Sequence, residues 1–246
     1  MSDASDFVLP QRARLVAIAG KKGSGKSTLA RAIRDAYDFD CDGNVLADIV
    51  SLAEPIKRFC VDLLGVPAEH AYGTDADKNR PTRYRWADLP HFERILAEWH
   101  AAGARAADVA RRSFEKLTVR QLLQEVGTGV FRSFDQGVFI RKAFGEFRRL
   151  AAQGSELFVV DDARFHDELS AARAAGGTLV RLLRSASQAD GHASETKLDA
   201  WTDYDLVLPD QGKEETAEAA VSFLKAAGIL PASPKHRQSL AAGGRQ

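Results

Sequence analysis

Two kinds of apolar spacing alternate along the chain, short continuous runs and residues recurring three and four apart, and they mark strands and helices in turn. "RLVAIAG" (Arg14 to Gly20) is a continuous run of strand length, and Leu29, Ile33 and Tyr37 then recur four apart, as one helix face requires. Between them lies "AGKKGSGKSTLA" (residues 19–30), too rich in glycine for a helix. "NVLADIVSLAEPIKRFCVDLLG" predicts a short extended piece, then a helix after Pro55 that closes near Gly65. From Val66 to Leu117 the texture changes to turn-rich, basic sequence followed by weakly patterned helix, so residues 66–118 are expected to form an insertion or lid-like subdomain.

"TVRQLLQEVGTGVFR" is the best-defined helix, with Val119, Leu122, Leu123 and Val126 on one face and Thr118 and Gln121 at capping-box spacing. Its other face carries Arg120, Gln121, Gln124 and Glu125. A helix is predicted through "DQGVFIRKAFGEFRRLAAQG", then a buried strand "ELFVVDD", a helix "RFHDELSAARAAGG" and a strand "TLVRLLR". "YDLVLP" and "KEETAEAAVSFLKAAG" read as a last strand and helix, followed by a polar tail over 231–246. This alternation implies a parallel sheet flanked by helices, an α/β fold of three layers. No internal repeat is found.

Composition narrows the picture. The 246 residues suffice for one large domain with an insertion, expected over 1–230. Thirty-four basic side chains balance 34 acidic ones, so no overall charge draws the chain to nucleic acid or anionic membrane. The first apolar run is short and ends in the glycine loop, which argues against a signal peptide or membrane span. A soluble, cytosolic protein is expected, in the host cytosol if the source is viral. Cys41 and Cys60 are too few for a disulfide framework and lack metal-ligand spacing.

The glycine loop carries the chemistry. Gly20, Gly25, Lys26 and Ser27 fit G-x-x-x-x-G-K-[ST] between a predicted strand and a predicted helix, the context that motif requires. Backbone N–H groups of such a loop and of the following helix converge on phosphate oxygens, lysine adds a point charge, and the hydroxyl ligates magnesium. Gly23, Ser24, Gly25, Lys26, Ser27 and Thr28 are thus expected to bind a nucleoside triphosphate with Mg2+. Asp161 and Asp162, ending "LFVVDD", stand where a carboxylate orients that magnesium, spacing does not choose between them, and Asp162 is also expected to be catalytic, with Lys26, Arg132 and Arg164. Capping of the next helix is the alternative for either one.

A phosphate loop alone names no reaction, since it serves GTPases, motors, small-molecule kinases and passive switches. No guanine-reading N-K-x-D stretch follows, and the chain is short for a motor core. A kinase of a small molecule remains, and its acceptor needs its own cationic pocket.

"GKKGSGKST", "AEPIKRF", "YGTDADKNRPTRYRWADLP", "RQLLQEVGTGVFR", "VVDDARFHDE" and "GHASE" occur in the order and spacing of the phage-type deoxynucleoside monophosphate kinases, which the chain resembles over roughly residues 14 to 210. Animal-type phosphomevalonate kinases look like distant relatives sharing the last elements. Phe139 stands where relatives often carry tryptophan and Leu52 where they often carry phenylalanine, which bears on acceptor-pocket shape. The resemblance implies a P-loop kinase domain with a helical acceptor-binding or lid insertion, transferring the γ-phosphoryl group of ATP with Mg2+ to a (deoxy)nucleoside monophosphate. It implies that Arg132 grips the acceptor phosphate, with Gln124 facing the base and Lys57 nearby. Arg132 can equally be a helix C-terminal cation satisfying carbonyls, Gln124 a solvated polar residue and Lys57 merely exposed.

Arg164, two residues past the carboxylates, is placed to reach the phosphates, or to pair with Glu168 at i, i+4. The resemblance makes 185–200 a lid-like segment, with Arg184 touching the nucleotide and His192 and Glu195 contacting the acceptor. His192 and Ser194 lack a nucleophile-elbow context, so hydrolase chemistry is not expected of them. Arg80, Arg83 and Arg85 around Trp86 suit a packed indole under a solvated surface, or stacking on a nucleic-acid base. Two rivals stay open: a kinase acting on a modified base in DNA or on another phosphorylated small molecule, and a non-catalytic ATP-binding switch. The expected partners are small-molecule nucleotides, with nucleic acid only under the first rival, no membrane, and a homodimer as an option.

Overall fold

The computed structural model describes residues 7–21, 23–37, 46–183, 198–209 and 212–231. In chain order its principal elements are β1 (Arg14–Gly20), α1 (Lys26–Asp35), β2 (Ala47–Val50), α2 (Glu54–Asp62), α3 (Ala68–Ala71), α4 (Asp75–Lys78), β3 (Pro81–Arg85), α5 (Phe92–Ala101), α6 (Ala106–Ser113) and β4 (Lys116–Thr118). There follow α7 (Val119–Glu125), a π-helical stretch (Val126–Phe131), α8 (Arg132–Phe134), α9 (Val138–Ala151), β5 (Leu157–Ala163), α10 (His166–Ala174), β6 (Thr178–Leu182), β7 (Leu206–Leu208) and α11 (Lys213–Ala226). The chain separates into two compact units, residues 1–52 with 139–246, and residues 53–138.

In the first unit five strands form one sheet in the order β2-β5-β1-β6-β7, and every neighbouring pair is parallel. Successive residues of a strand point to opposite faces, and both faces here are covered, which is why these strands read as unbroken apolar runs. Val16, Ile18, Leu157, Val159, Val180 and Leu182 pack with Leu29 and Ile33 of α1 and with Ala220 and Leu224 of α11. The intervening residues serve the other face: Phe158 stacks on Phe147 of α9 at 4.7 Å, and Leu15, Ala17 and Val160 meet Phe144 of α9 and Ala172 of α10. Helix, sheet and helix therefore make the three layers expected from the sequence.

The topology sets the site. From β1 the chain runs through α1 to β2 beyond β5, whereas from β5 it runs through α10 to β6 on the far side of β1. Connections that diverge from adjacent strands open a crevice at the strands' C-terminal ends, where ligands of such sheets bind. The phosphate loop leaves β1 there.

The second unit has its own core. Cys60, Val66, Trp86, Leu89, Ile95, Leu117, Val119, Leu122 and Val126 are buried together, so the core draws on α2 and α7 as well as on the stretch 66–118. Burial pushes the Cys60 thiol up to about 12, leaving it a neutral apolar group. The stretch read as turn-rich contains an antiparallel ribbon, β3 with β4, whose pairing of Pro81 with Thr118 and Arg85 with Lys116 spans too much sequence for local pattern to reveal. Trp86 is packed in the core edge-on to Trp99, with the Arg112 guanidinium 4.3 Å from the Trp99 ring centre, while Arg80, Arg83 and Arg85 are exposed. No helix among the described residues is long and apolar enough to cross a membrane.

Candidate active site

The phosphate loop closes as its glycines allow. Gly25, immediately before α1, has φ +92°, a left-handed conformation that side chains resist, and the Leu29 N–H then donates to the Gly25 carbonyl as the first helical bond. The first-turn N–H groups of any α-helix have no intrahelical partner, which makes this end a site for an anion. Lys26 is buried, and its Nζ donates to the carbonyls of Gly20 at 2.6 Å and Lys21 at 2.8 Å. The ammonium is thus held by acceptors that a phosphate oxygen can replace. Ser24 Oγ, inside the loop, is inaccessible to water and has no hydrogen-bond partner among the described residues. Gly23 and Thr28 complete the loop segment, Gly23 at φ +74° and Thr28 half-buried in the first turn of α1.

The two adjacent carboxylates are sent in different directions. Ala17 of β1 pairs with Val160 of β5, but Ala19 pairs with Ala163, so two residues of β5, Asp161 and Asp162, oppose the single Ile18. This bulge breaks the alternation of faces and re-aims side chains. Asp161 keeps the phase of Val159 and accepts the Ser27 hydroxyl at 2.7 Å. Asp162 turns toward the end of β2, accepting the Ser51 hydroxyl at 2.6 Å and the Leu52 N–H at 2.8 Å. A hydroxyl and a carboxylate joined directly beside a phosphate loop fit shared ligation of magnesium. Among the described residues no group of three or more His, Cys, Asp or Glu converges to hold a metal. Magnesium characteristically takes one or two protein oxygens and completes its shell with phosphate and water.

Arg164 lies just past β5. Its backbone N–H, with that of Phe165, donates to the Glu168 carboxylate at 2.7 and 3.0 Å, so Glu168 caps the start of α10. Arg164 also lines a cavity with Gly20, Lys21, Arg181, Asp199 and Tyr204. Lys21, Arg181 and Asp199 went unnoticed in the sequence, although Arg181 left a signal as a lone charge inside the apolar strand "TLVRL".

Three of the expected acceptor residues, Arg132, Gln124 and Lys57, belong to the second unit. Arg132 is buried in α8 and its Nη1 donates to the Gln136 carbonyl at 3.1 Å, a helix-end carbonyl contact of the kind weighed above. Gln124 is half-buried in the last turn of α7. Beside it Glu125 Oε2 lies 2.8 Å from His91 Nε2, and His91 Nδ1 is buried without a hydrogen-bond partner among the described residues. Past α7 the Gly-Thr-Gly stretch continues as a widened helix, in which Gly127 and Gly129 admit close packing of Ile56 and of the His91 ring where a Cβ would collide. The Lys57 ammonium stands 5.4 Å over the Tyr72 ring, and the Tyr72 hydroxyl donates to Glu54 at 2.9 Å. Burial, then Glu54, pushes that phenol up to about 12. Arg184, His192 and Glu195 lie outside the described residues, as does most of the expected lid segment.

Comparison with known proteins adds to this geometry. A family profile described as "Deoxynucleotide monophosphate kinase" matches residues 88–219. A protein of Acanthamoeba polyphaga mimivirus, whose deoxynucleotide monophosphate kinase name is provisional, is 27% identical over 204 residues, covering 79% of this chain and 86% of its own. The deoxynucleotide monophosphate kinase of Enterobacteria phage T4 is 29% identical over 110 residues, 44% of this chain and 45% of its own. An unliganded sugar kinase structure from Janibacter covers 91% of this chain and 99% of its own at 17% identity and a TM-score of 0.34, a likeness too low to bear on the fold.

Proposed function

This chain belongs to the deoxynucleotide monophosphate kinase family, and from that premise we propose how its residues divide the transfer of the γ-phosphoryl group of ATP to a deoxynucleoside monophosphate. The observation that supports the reading most directly is the 2.7 Å bond from the Ser27 hydroxyl to Asp161 at the end of the phosphate loop. Gly23 to Thr28 cradle the triphosphate, and Lys26 exchanges the carbonyls of Gly20 and Lys21 for phosphate oxygens. Ser27 and Asp161 would hold the magnesium, with Asp162 bracing the end of β2. Magnesium, when bound there, would supply positive charge to offset that of the phosphoryl groups.

An oxygen of the acceptor monophosphate attacks the γ-phosphorus as the bond to the ADP oxygen breaks, and the products are ADP and the diphosphate. That oxygen is already ionised, so no general base is required, and the protein's task is to orient two anions and offset their repulsion. Lys26 and Arg164 supply charge on the donor side. Arg132, Gln124 and Lys57 serve the acceptor, Lys57 being steadied by the Tyr72 ring.

The test is acceptor-dependent ADP formation, screened over the deoxynucleoside monophosphates and over DNA carrying a hydroxymethylated pyrimidine. One or more free monophosphates should support turnover, and removing magnesium with a chelator should abolish it. Lys26→Ala and Arg132→Ala should each lower kcat/KM by about 10²–10³-fold, the scale for losing one preorganised charge. An Arg132→Ala variant with unchanged kcat and acceptor KM would refute the acceptor assignment. Nucleotide binding with no acceptor-dependent ADP would point to a switch, and turnover on DNA alone to the other rival.

A further inference from the structure

A cavity of about 150 Å3 opens beside the phosphate loop within the first unit. Its lining includes three basic residues, Lys21, Arg164 and Arg181, against one acidic one, Asp199. The roles assigned above use only Arg164. Arg181 is the single charge of β6, between the buried Val180 and Leu182, and it pairs in register with Ala19, the residue before the loop begins. Its Nη2 donates to Asp199 at 3.0 Å, and its Nη1 to the carbonyls of Leu198 at 3.1 Å and Trp201 at 3.3 Å. The other Asp199 oxygen lies 3.4 Å from Lys21 Nζ. One carboxylate thus bridges a loop lysine and a strand arginine.

Tyr204 closes the wall, its ring 5.5 Å from the Arg181 guanidinium. Its position is fixed from α10, where Arg173 pairs with Asp203 at 3.0 Å and Asp205 at 2.9 Å on either side of it. The Tyr204 hydroxyl oxygen is inaccessible to water and makes no well-formed hydrogen bond among the described residues, the Arg181 guanidinium being the charged group beside it. A buried hydroxyl left so is a cost that a ligand oxygen removes.

A cationic surplus and a buried hydroxyl without a well-formed hydrogen bond, in a cavity that shares Gly20 with the phosphate loop, describe a place for an anion larger than a carboxylate. We propose that this cavity is an additional phosphoryl subsite and that Asp199 is its resident anion, displaced from Lys21 and Arg181 when a nucleotide phosphate enters. The proposal rests on the loop being the triphosphate site. Asp199 and Lys21 are each nearly half exposed, so their pairing is screened and readily exchanged. A dianionic phosphoryl group offers the guanidinium two oxygens and twice the charge. Until that exchange occurs, Asp199 lowers the apparent affinity by the fraction of molecules in which it occupies the subsite.

The experiment compares full-length wild type with Asp199→Asn, Arg181→Met, Arg181→Lys and, as a matched loss of charge outside the cavity, Asp35→Asn. Each is titrated with inorganic tripolyphosphate by calorimetry, and KM is measured for ATP and for the accepted monophosphate. If Asp199 holds the subsite nine-tenths of the time, Asp199→Asn binds tripolyphosphate about tenfold tighter. Arg181→Met should weaken binding by a similar factor, Arg181→Lys should recover part of it, and Asp35→Asn should leave it unchanged. The nucleotide whose KM follows the same order identifies the donor or the acceptor as the source of the phosphoryl group. Asp199→Asn binding no tighter than wild type, with a melting temperature lowered as far as in Arg181→Met, would overturn the proposal and leave the pair as a clamp on the turn 198–201. Absence of acceptor-dependent ADP in the wild type would sink the kinase reading alone, because the tripolyphosphate titration still decides the subsite.

Discussion

Asp161 and Asp162 are chemically identical neighbours, and what separates them is the company each keeps. A carboxylate that takes the Ser27 hydroxyl is set to share a cation with it, while one that takes the Ser51 hydroxyl and the Leu52 N–H is committed to holding β2 in place. Replacing Asp161 by Asn should raise the magnesium concentration needed for half-maximal activity by about ten- to a hundredfold, the range seen when a group orienting a metal is lost. Asp162→Asn should leave the magnesium titration unmoved and instead lower unfolding free energy by about 1–3 kcal/mol, the worth of a hydrogen bond to a charged group. Measuring magnesium dependence and denaturant unfolding on both variants separates the two roles, and equal magnesium shifts would refute the division.

Helices in this protein show how local chemistry and packing share control. Thr118 and Gln121 form the reciprocal cap that their spacing announces, with the Thr118 N–H 2.8 Å from Gln121 Oε1 and the Gln121 N–H 3.2 Å from Thr118 Oγ1. Five residues past Gln121 the same helix widens, where Gly129 yields its space to His91. Gly129→Ala should displace that ring from Glu125, lower stability by about 1–3 kcal/mol as overpacking does, and change acceptor KM more than ATP KM. A variant as stable as wild type in thermal melts would show that the His91 ring does not need that space. On α9 the Glu146 carboxyl is held below its ordinary 4.5, first by hydrogen bonding to Arg149 and then by Lys142, against an opposing effect of burial. A depressed folded-state value means that this contribution is present above the unfolded pKa and is lost as pH falls through the folded one. Glu146→Gln should therefore remove part of the acid-side loss of stability, by under about 1 kcal/mol for so exposed a pair, while leaving stability above pH 7 lower than in wild type.

Across the whole molecule, the buried parallel sheet accounts for the legibility of the fold. Phe147 and Phe158 stack at 4.7 Å, and both are almost wholly buried. Phe147→Ala should lower unfolding free energy by about 3–5 kcal/mol in denaturant titration, and a loss under half of that would mean that the layer relaxes around the gap. Strands covered on both faces must be apolar throughout, so "RLVAIAG", "ELFVVDD" and "TLVRLLR" declare themselves, and the phosphate loop does so because its glycines and its lysine lie within nine consecutive residues. Those features depend on neighbours a few positions apart, and sequence alone determined them. The bulge that parts Asp161 from Asp162, the ribbon of β3 with β4, the pairing of His91 with Glu125 and the meeting of Lys21, Arg181 and Asp199 all join residues that are distant in the chain or depend on the register between strands. Neither distance nor register is written in local periodicity, so only the tertiary structure decided them.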